Sequence, residues 1–205
     1  MATPDFILKL RAKVGHETLW IPGARAVVFD DAGRVLLGQR ADNGRWGLIT
    51  GILEPGEEPA TGLLREVLEE TGVVAAAERL VSVDAVGPTT YPNGDVCHFL
   101  TLVFRCRYVS GEARVNDDES LAVGWFRPEE FPELMPGHLE SIERAGPADG
   151  AAHFRRCPPD PAGRGRDAAA PGAAAFLTLV APASSGAGCG DRRLPAPQRR
   201  ASEMR

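Results

Sequence analysis

The sequence predicts an α/β fold, a mixed β-sheet sandwiched between helices, over residues 1–145, and a disordered C-terminal tail over residues 146–205. Three observations predict this organisation. Short apolar segments of strand length outnumber segments with helical periodicity. Polar, glycine-containing turns separate two pairs of these strands. Near residue 145 the composition changes, and 31 of the 60 residues that follow are Ala, Pro or Gly.

Each predicted strand is a short apolar run next to turn-forming residues. Asp30-Asp31-Ala32-Gly33 separates the first two strands, and Pro92-Asn93-Gly94-Asp95 separates a later pair, as in β-hairpins. Because helical segments are placed between and after the strands, we expect helices to cover a mixed sheet. The predicted strands are Ala24–Phe29, Val35–Gln39, Trp46–Thr50, Leu80–Val86, Val96–Tyr108 and Leu121–Phe126.

Four segments are predicted as helices. The segment Pro59–Thr71 has a helical period, and Gly72 follows it in the position that favours a helix C-terminus. The other three predicted helices are shorter: Phe6–Val14, Pro128–Phe131 and Gly137–Arg144. After residue 145 no period of 2 or 3.6 persists, and so little apolar surface cannot offset the entropy of ordering the chain. We therefore expect the tail to be disordered.

Charge and cysteine content argue against several classes of protein. The formal net charge is −5, and residues 1–145 contain 14 Lys and Arg against 23 Asp and Glu. An acidic folded part argues against a nucleic-acid partner, which requires a basic face. The first residues lack a signal-peptide pattern, and no apolar run reaches the roughly 20 residues of a membrane span. The four cysteines form no CxxC pair, so we expect a cytoplasmic protein with reduced thiols and no membrane partner.

The helix predicted over Pro59–Thr71 has two chemically distinct faces. At roughly 100° per residue, Glu66, Glu69 and Glu70 share an arc of about 100°. Like charges at i,i+4 and anions near a helix C-terminus both disfavour a helix. A hard divalent cation such as Mg²⁺ would relieve this conflict, and a solvated acidic face is the alternative. We expect the apolar arc to be buried; its residues are Ala60, Leu63, Leu64, Val67 and Leu68.

The spacing around this helix favours the metal interpretation. Gly51 is followed after five residues by Glu57, and after seven more by Arg65-Glu66-Val67-Leu68-Glu69-Glu70-Thr71-Gly72-Val73. This pattern resembles the Nudix box at every defined position, and the resemblance covers about residues 20–132. Trp46-Gly47-Leu48-Ile49-Thr50 looks like the strand that enters the box, although the family often has Gly where Thr50 stands.

The resemblance implies a Nudix fold and the hydrolysis of a nucleoside diphosphate linked to another group, with Mg²⁺, or Mn²⁺ in its place. Glu66, Glu69 and Glu70 match the metal ligands on the helix. Glu57 matches a carboxylate that serves a further metal or water. Arg65 matches the arginine that orients a glutamate of the box. Such metal ions neutralise the diphosphate and lower the pKa of bound water. The general base stays open between Glu66, Glu57 and a loop carboxylate.

Two residues outside the box are further candidates. Glu119, in the acidic turn before Leu121–Phe126, resembles the loop glutamate that supplies an extra metal ligand in some family members, with a solvated turn as the alternative. Tyr91 is a candidate for stacking on a base. Pro88 and Tyr91 stand near the spacings that mark ADP-ribose hydrolases and dinucleoside-polyphosphate hydrolases respectively, so spacing alone does not select the substrate.

The remaining aromatic and histidine residues are interpreted as structural. Trp46 and Trp125 are expected to pack in the core or at strand ends. The four histidines are scattered without metal-binding spacing, so zinc is not predicted.

The leading expectation is a hydrolase of ADP-ribose or a nucleotide sugar, with a small-molecule nucleotide as its binding partner. A nucleoside triphosphate or dinucleoside polyphosphate pyrophosphohydrolase is the first alternative. A non-catalytic Nudix domain that senses a nucleotide and an isomerase of an isoprenoid diphosphate are the others, and a homodimer is left open.

Overall fold

A mixed sheet of eight strands organises the residues that the structure, a computed structural model, describes: 3–91 and 93–154. The main strand order is β3-β2-β1-β6-β5-β8, while β4 pairs with β1 and β7 pairs with β2. The pairs β1–β6 and β5–β8 are parallel, and the others are antiparallel. The strands are β1 (Leu19–Phe29), β2 (Val35–Arg40), β3 (Trp46–Gly47), β4 (Ile49–Ile52), β5 (Val73–Thr90), β6 (Val96–Gly111), β7 (Ser120–Phe126) and β8 (His153–Phe154).

Helices cover both faces of this sheet, which confirms the predicted sandwich. They are α1 (Asp5–Val14), α2 (Pro59–Thr71) and α3 (His138–Ala145), with a 3₁₀ turn at Pro128–Glu130. Along β1, successive side chains face opposite sides. Ala24, Ala26 and Val28 share a core with Leu63 and Val67 of α2. Val27 packs in the core that contains Ile142 of α3, and Ile21 packs with Ile7 of α1.

One edge of the central strand β1 pairs with two different strands, β4 and then β2. The point where these two strands separate is called the fork of β1. The first half of β1 pairs with β4, from Gly23 opposite Ile52 to Ala26 opposite Ile49, whereas Phe29 at its end pairs with Val35 of β2. The strands β2 and β4 therefore diverge, and a crevice opens between them. This crevice is lined by Gly38, Arg40, Leu48, Ile49, Thr50, Glu70, Glu119 and Ser120.

Two predicted strands differ most from the observed ones, and β1 also begins at Leu19 rather than at the predicted Ala24. The strand predicted over Trp46–Thr50 is divided at Leu48, because the Leu48 N–H donates to His138 Nδ1 at 2.9 Å instead of joining a ladder. The strand predicted over Leu80–Val86 is much longer as β5, which begins directly after Gly72 and pairs with β6 as far as Gly111. Its alanine-rich first half lacks the alternation that marks a strand in sequence.

The predicted burial of α2 is correct at Leu63 and Val67 and wrong at Leu68. Leu68 is 46% exposed, whereas Glu70, expected on the acidic face, is only 8% exposed. The buried arc is centred between Leu63 and Val67, about 120° from Leu68 and about 40° from Glu70. The carboxylate of Glu70 therefore lies at the border of the core, and Gly72 ends the helix in the left-handed conformation, as predicted.

Several smaller predictions are also resolved. Trp46 stacks edge-on against Phe126 and Trp125 against Tyr108, so both tryptophans pack as expected. Cys97 and Cys106 are buried and unpaired, whereas Cys157 and Cys189 lie outside the described residues. Within residues 3–91 and 93–154, no helix has both the length and the apolar character that crossing a membrane requires.

The predicted boundary after residue 145 differs slightly from the structure. His153 and Phe154 form β8 and pair with Ser82 and Val83 of β5, so ordered pairing continues past the predicted end of the domain. The disorder predicted for the tail falls, from residue 155 onward, outside the described residues.

Candidate active site

Arg65 is the centre of a charge cluster on α2. Its Nε donates to Glu57 Oε1 at 3.1 Å, and its Nη1 donates to Glu69 Oε2 at 2.9 Å. The same Nη1 lies 3.1 Å from Glu66 Oε1. Arg65 therefore contacts three of the four predicted carboxylates of the box. The guanidinium holds the pKa of Glu57 below its usual range, and the Glu57 and Glu66 carboxylates raise the pKa of Arg65.

Two glycines allow these carboxylates to approach the backbone. A Cβ at Gly51 would lie 2.3 Å from Glu66 Cγ, and a Cβ at Gly62 would lie 2.4 Å from Glu57 Oε2. Since real side chains do not approach this closely, each glycine creates the space that one glutamate occupies. Gly51 belongs to the resemblance noted above, but the role of Gly62 was missed, because a glycine inside a helix gives no sequence signal of what packs on it.

Glu70 differs from the Arg65 cluster because it has no cationic partner at hydrogen-bond distance. Its carboxylate makes no hydrogen bond or ion pair within the described part of the chain. Burial, together with the nearby charges of Glu66, Glu119 and Asp117, raises the pKa of Glu70 to about 8. Burial also raises the pKa of Glu66. An uncompensated buried carboxylate is costly unless a cation or a proton neutralises it.

The loop after β6 carries Glu119 to this position. Asn116 Nδ2 donates to the Glu69 carbonyl at 3.0 Å, and the backbone N–H of Asn116 donates to the Glu70 carbonyl at 3.2 Å. These bonds satisfy carbonyls that the end of α2 would otherwise leave unpaired. The Ala41 N–H donates to the Glu119 carbonyl at 2.8 Å, which fixes the loop beside β2. The structure therefore brings Glu119 into the same crevice as Glu70, as its sequence position suggested.

The donor set of this crevice fits a hard divalent cation. The negative charges of Glu66 and Glu119 act on the carboxylate of Glu70. Hard divalent cations prefer oxygen ligands of this kind. In residues 3–91 and 93–154, however, no three His, Cys, Asp or Glu side chains are already gathered closely enough to hold an ion. Two of the box carboxylates, those of Glu66 and Glu69, are instead engaged in ion pairs with Arg65.

A larger cleft lies on the opposite face of the sheet, between α1 and α3. It encloses about 390 Å³, a size suited to a small-molecule ligand. Arg40 and Thr50 line both the cleft and the crevice, so the two cavities meet at the fork of β1. Tyr91 lines the cleft, as expected of a residue that stacks on a base, whereas Pro88 is not among the cleft-lining residues that the structure describes.

Cationic and donor groups cluster at the end of the cleft near the fork. Arg40 donates through Nε and Nη2 to the two carboxylate oxygens of Asp42, at 2.9 and 2.7 Å. Arg25 is only 9% exposed, and its Nη1 donates to Ser141 Oγ at 3.0 Å. Its Nε has no partner among the described atoms. His138 accepts the Leu48 N–H through Nδ1, and burial lowers its pKa to about 3, so the ring is neutral.

Apart from Tyr91, sequence reasoning did not identify the polar residues of this cleft. Arg25 could have been noticed, because an arginine inside the apolar run Ala24–Phe29 requires a polar partner once that strand is buried. Arg40 directly follows the predicted strand Val35–Gln39, and strand ends often carry binding residues. His138 gave no signal, since its partner Leu48 lies 90 residues away in sequence.

Comparisons with known proteins agree with this geometry. A family model described as NUDIX domain matches residues 20–145, more than half of the chain. A MutT-like protein of Streptomyces ambofaciens is 40% identical over 126 residues, which cover 59% of this chain and 76% of the relative. The human 8-oxo-dGDP phosphatase NUDT18 is 33% identical over 150 residues, 69% of this chain but only 42% of the relative.

A solved structure shows the same fold. The ADP-ribose pyrophosphatase from Streptococcus suis 89-1591 aligns with a TM-score of 0.51 and 25% identity, over 66% of this chain and 96% of that one. The resemblance first noted in the box thus extends over residues 20–145.

Proposed function

This chain belongs to the Nudix family, and from that membership we propose that it hydrolyses the phosphoanhydride bond of a nucleoside diphosphate derivative. We propose Mg²⁺ as the resident ion, with Mn²⁺ as a substitute. The derivative is ADP-ribose, a nucleotide sugar or a related compound. The products are then a nucleoside monophosphate and the phosphate of the second group, formed by the addition of one water across the P–O–P bond.

The observation that carries this proposal is the position of Glu70. Glu70 is only 8% exposed, and its carboxylate lacks a hydrogen-bond partner among the described residues and shares a crevice with Glu119 beside Glu66. A structural carboxylate would be paired, whereas a carboxylate reserved for a cation is left open. Glu66, Glu69 and Glu70 would hold the ion, joined by Glu119 from the loop. When bound, it neutralises the diphosphate and lowers the pKa of a water molecule.

The roles of the other residues follow from their contacts. Arg65 orients Glu66 and Glu69 and holds Glu57 in place, and this is a positioning role. The contact with Arg65 lowers the pKa of Glu57, which makes Glu57 a poorer proton acceptor than Glu66, whose pKa is raised. The proton acceptor for the attacking water is therefore one of the carboxylates around the crevice, with Glu57 the poorest candidate. Arg40 stands where crevice and cleft meet, and it is suited to bind the diphosphate.

Substrate choice rests on the shape of the cleft and on the relatives. The polar end near Arg40 suits phosphate, and the remainder of the cleft, with Tyr91 and Phe99, suits a base. One similar structure is an ADP-ribose pyrophosphatase and one relative is an 8-oxo-dGDP phosphatase, so both compounds belong among the candidate substrates.

A product screen tests the proposal. The full chain would be incubated with Mg²⁺ and ADP-ribose, UDP-glucose, 8-oxo-dGDP, ATP, dGTP or diadenosine tetraphosphate, and the products separated by chromatography. We expect a nucleoside monophosphate from ADP-ribose or UDP-glucose, no turnover with EDTA, and recovery with Mn²⁺. Exclusive release of pyrophosphate from triphosphates would overturn the substrate class. Binding of these nucleotides without any turnover would favour the non-catalytic sensor.

A further inference from the structure

The N-terminal helix α1 forms one wall of the cleft, although it lies outside the matched range 20–145. Thr3, Ile7 and Arg11 all line the cavity. Of the three helices in the described part of the chain, α1 alone stands apart from the family match. We propose that α1 is the surface against which the nucleobase of the substrate packs, with Ile7 as the contact residue and Arg11 as the residue that positions the helix. This inference rests on the proposed function.

The chemistry of the cleft changes from one end to the other, and this gradient sets the direction of the substrate. Near the fork the lining is polar and cationic, with Arg25, Arg40 and Thr50. Beneath α1 the residues Ile7, Ile21 and Phe99 form an apolar patch, which lies beside the ion pair of Arg11 and Asp95. A sugar requires many hydrogen bonds, whereas a base presents flat apolar faces. The α1 end therefore suits a base, and the end at the fork suits phosphate.

The two sides of α1 differ sharply. Ile7 is 5% exposed and packs with Ile21 and Cys97, while its neighbour Leu8 is 53% exposed. Only the side that carries Ile7 can meet a ligand in the cleft. The neighbouring residue Leu8 therefore provides a matched control on the same helix.

Arg11 joins this helix to the sheet. Its Nη2 donates to the Val96 carbonyl at 3.2 Å and to Cys97 Sγ at 3.4 Å, and its Nε lies 3.3 Å from Asp95 Oδ2. Among the described residues, no backbone hydrogen bond links α1 to a strand. The position of the wall relative to β6 thus depends on one side chain and on the apolar contacts of Ile7.

A pair of ligands that differ only in the base tests the inference. AMP and ribose 5-phosphate share the sugar and the phosphate, so the ratio of their Kd values reports the contribution of the base. We expect the wild-type chain with Mg²⁺ to bind AMP at least tenfold more tightly, as measured by calorimetry. Ile7→Ala should reduce this preference at least fivefold, and Ile7→Val, which leaves the packing nearly intact, should reduce it about twofold. Leu8→Ala should leave the preference unchanged.

Arg11 has its own test in the same assay. Arg11→Met should lower the preference for AMP and leave the affinity for ribose 5-phosphate within twofold, since the phosphate end is untouched. Equal weakening of both ligands in the Ile7 and Arg11 variants, or an unchanged preference in all of them, would overturn the inference. This assay measures binding and does not require turnover. Absence of turnover in the product screen would therefore contradict the proposed function without changing the interpretation of the binding result.

Discussion

Thr50 and Gly51 are neighbours on β4, yet they face two different chemical environments. Gly51 faces α2, where Glu66 occupies the space that a side chain would take. Thr50 lines the cleft, together with Arg25 and His138, and also borders the crevice at the fork. The α2 side of the sheet thus gathers carboxylates around Arg65, whereas the cleft combines arginines and the neutral His138 with the carboxylates of Asp42 and Asp95. The comparison teaches that the sheet separates the acidic residues of α2 from most of the cleft lining, and that crevice and cleft share Arg40 and Thr50 at the fork of β1.

The largest expected effect comes from neutralising the unpaired carboxylate on the α2 side. Glu70→Gln should lower turnover by about a thousandfold or more, because a lost ligand disturbs the activated water. Metal-free stability should stay unchanged or rise by a few tenths of a kcal/mol, since repulsion from Glu66 is removed. Kinetics and melting curves with and without Mg²⁺ would measure both. Glu58→Gln, at the exposed start of α2, is the control, and near wild-type turnover of Glu70→Gln would contradict the metal assignment.

A pair of adjacent substitutions tests the separation of the two faces directly. Gly51→Ala should lower kcat about a hundredfold and weaken Mg²⁺ binding, because the new methyl group displaces Glu66. Thr50→Ala should instead raise KM severalfold and leave the affinity for Mg²⁺ unchanged. Steady-state kinetics at varied Mg²⁺ concentrations would distinguish these patterns. If both variants changed the same parameter, the two faces would not be separate.

A substitution of Arg65, which contacts three carboxylates at once, should lower turnover less than the substitutions of Glu70 and Gly51. Arg65→Lys keeps the charge but cannot contact Glu57, Glu66 and Glu69 at once. We expect turnover to fall about tenfold to a hundredfold, as is typical when a residue that orients metal ligands is replaced. The apparent Mg²⁺ affinity, measured from the dependence of kcat on the ion, should fall with it. Unchanged kinetics would show that these ion pairs serve stability alone.

The smallest effect concerns the neutral histidine on the cleft side. The pKa of His138 is lowered to about 3, chiefly by burial and further by Arg25 and Arg40, against about 6.5 in an unfolded chain. Between these values the unfolded chain binds more protons, so the stability that His138 contributes is complete above pH 6.5 and is lost as the pH falls towards 3. His138→Asn keeps an acceptor for the Leu48 N–H and removes this titration.

The measurement for His138 is the melting temperature between pH 7 and pH 4 without added metal. The wild-type chain should lose a few degrees more than His138→Asn over this range. Identical pH slopes in both proteins would show that the imidazole titrates freely in the folded state.

The sequence predicted the α2 side of the sheet better than the cleft side, for physical reasons. The metal candidates lie within one helix and its approach, where spacing fixes which side chains share a face. The cleft is assembled from α1, β1, β6 and the start of α3, so its residues meet only through long-range pairing. Even on α2, the approach of Glu119 to Glu70 depends on the loop after β6, which periodicity cannot reveal.

The fork of β1 has a consequence for which bond is cut. Its two arms, β2 and β4, are held by backbone pairing at Phe29 and at Gly23–Ala26, so the position of the opening depends chiefly on the main chain, with one side-chain contact beside β4 from the Leu48 N–H to His138. A ligand whose base rests beneath α1 can present only the phosphorus atom that reaches this opening. We therefore expect the main chain to determine which phosphoanhydride bond is cleaved. Substitutions in the cleft should exchange one leaving group for another while the scissile bond keeps its distance from the base.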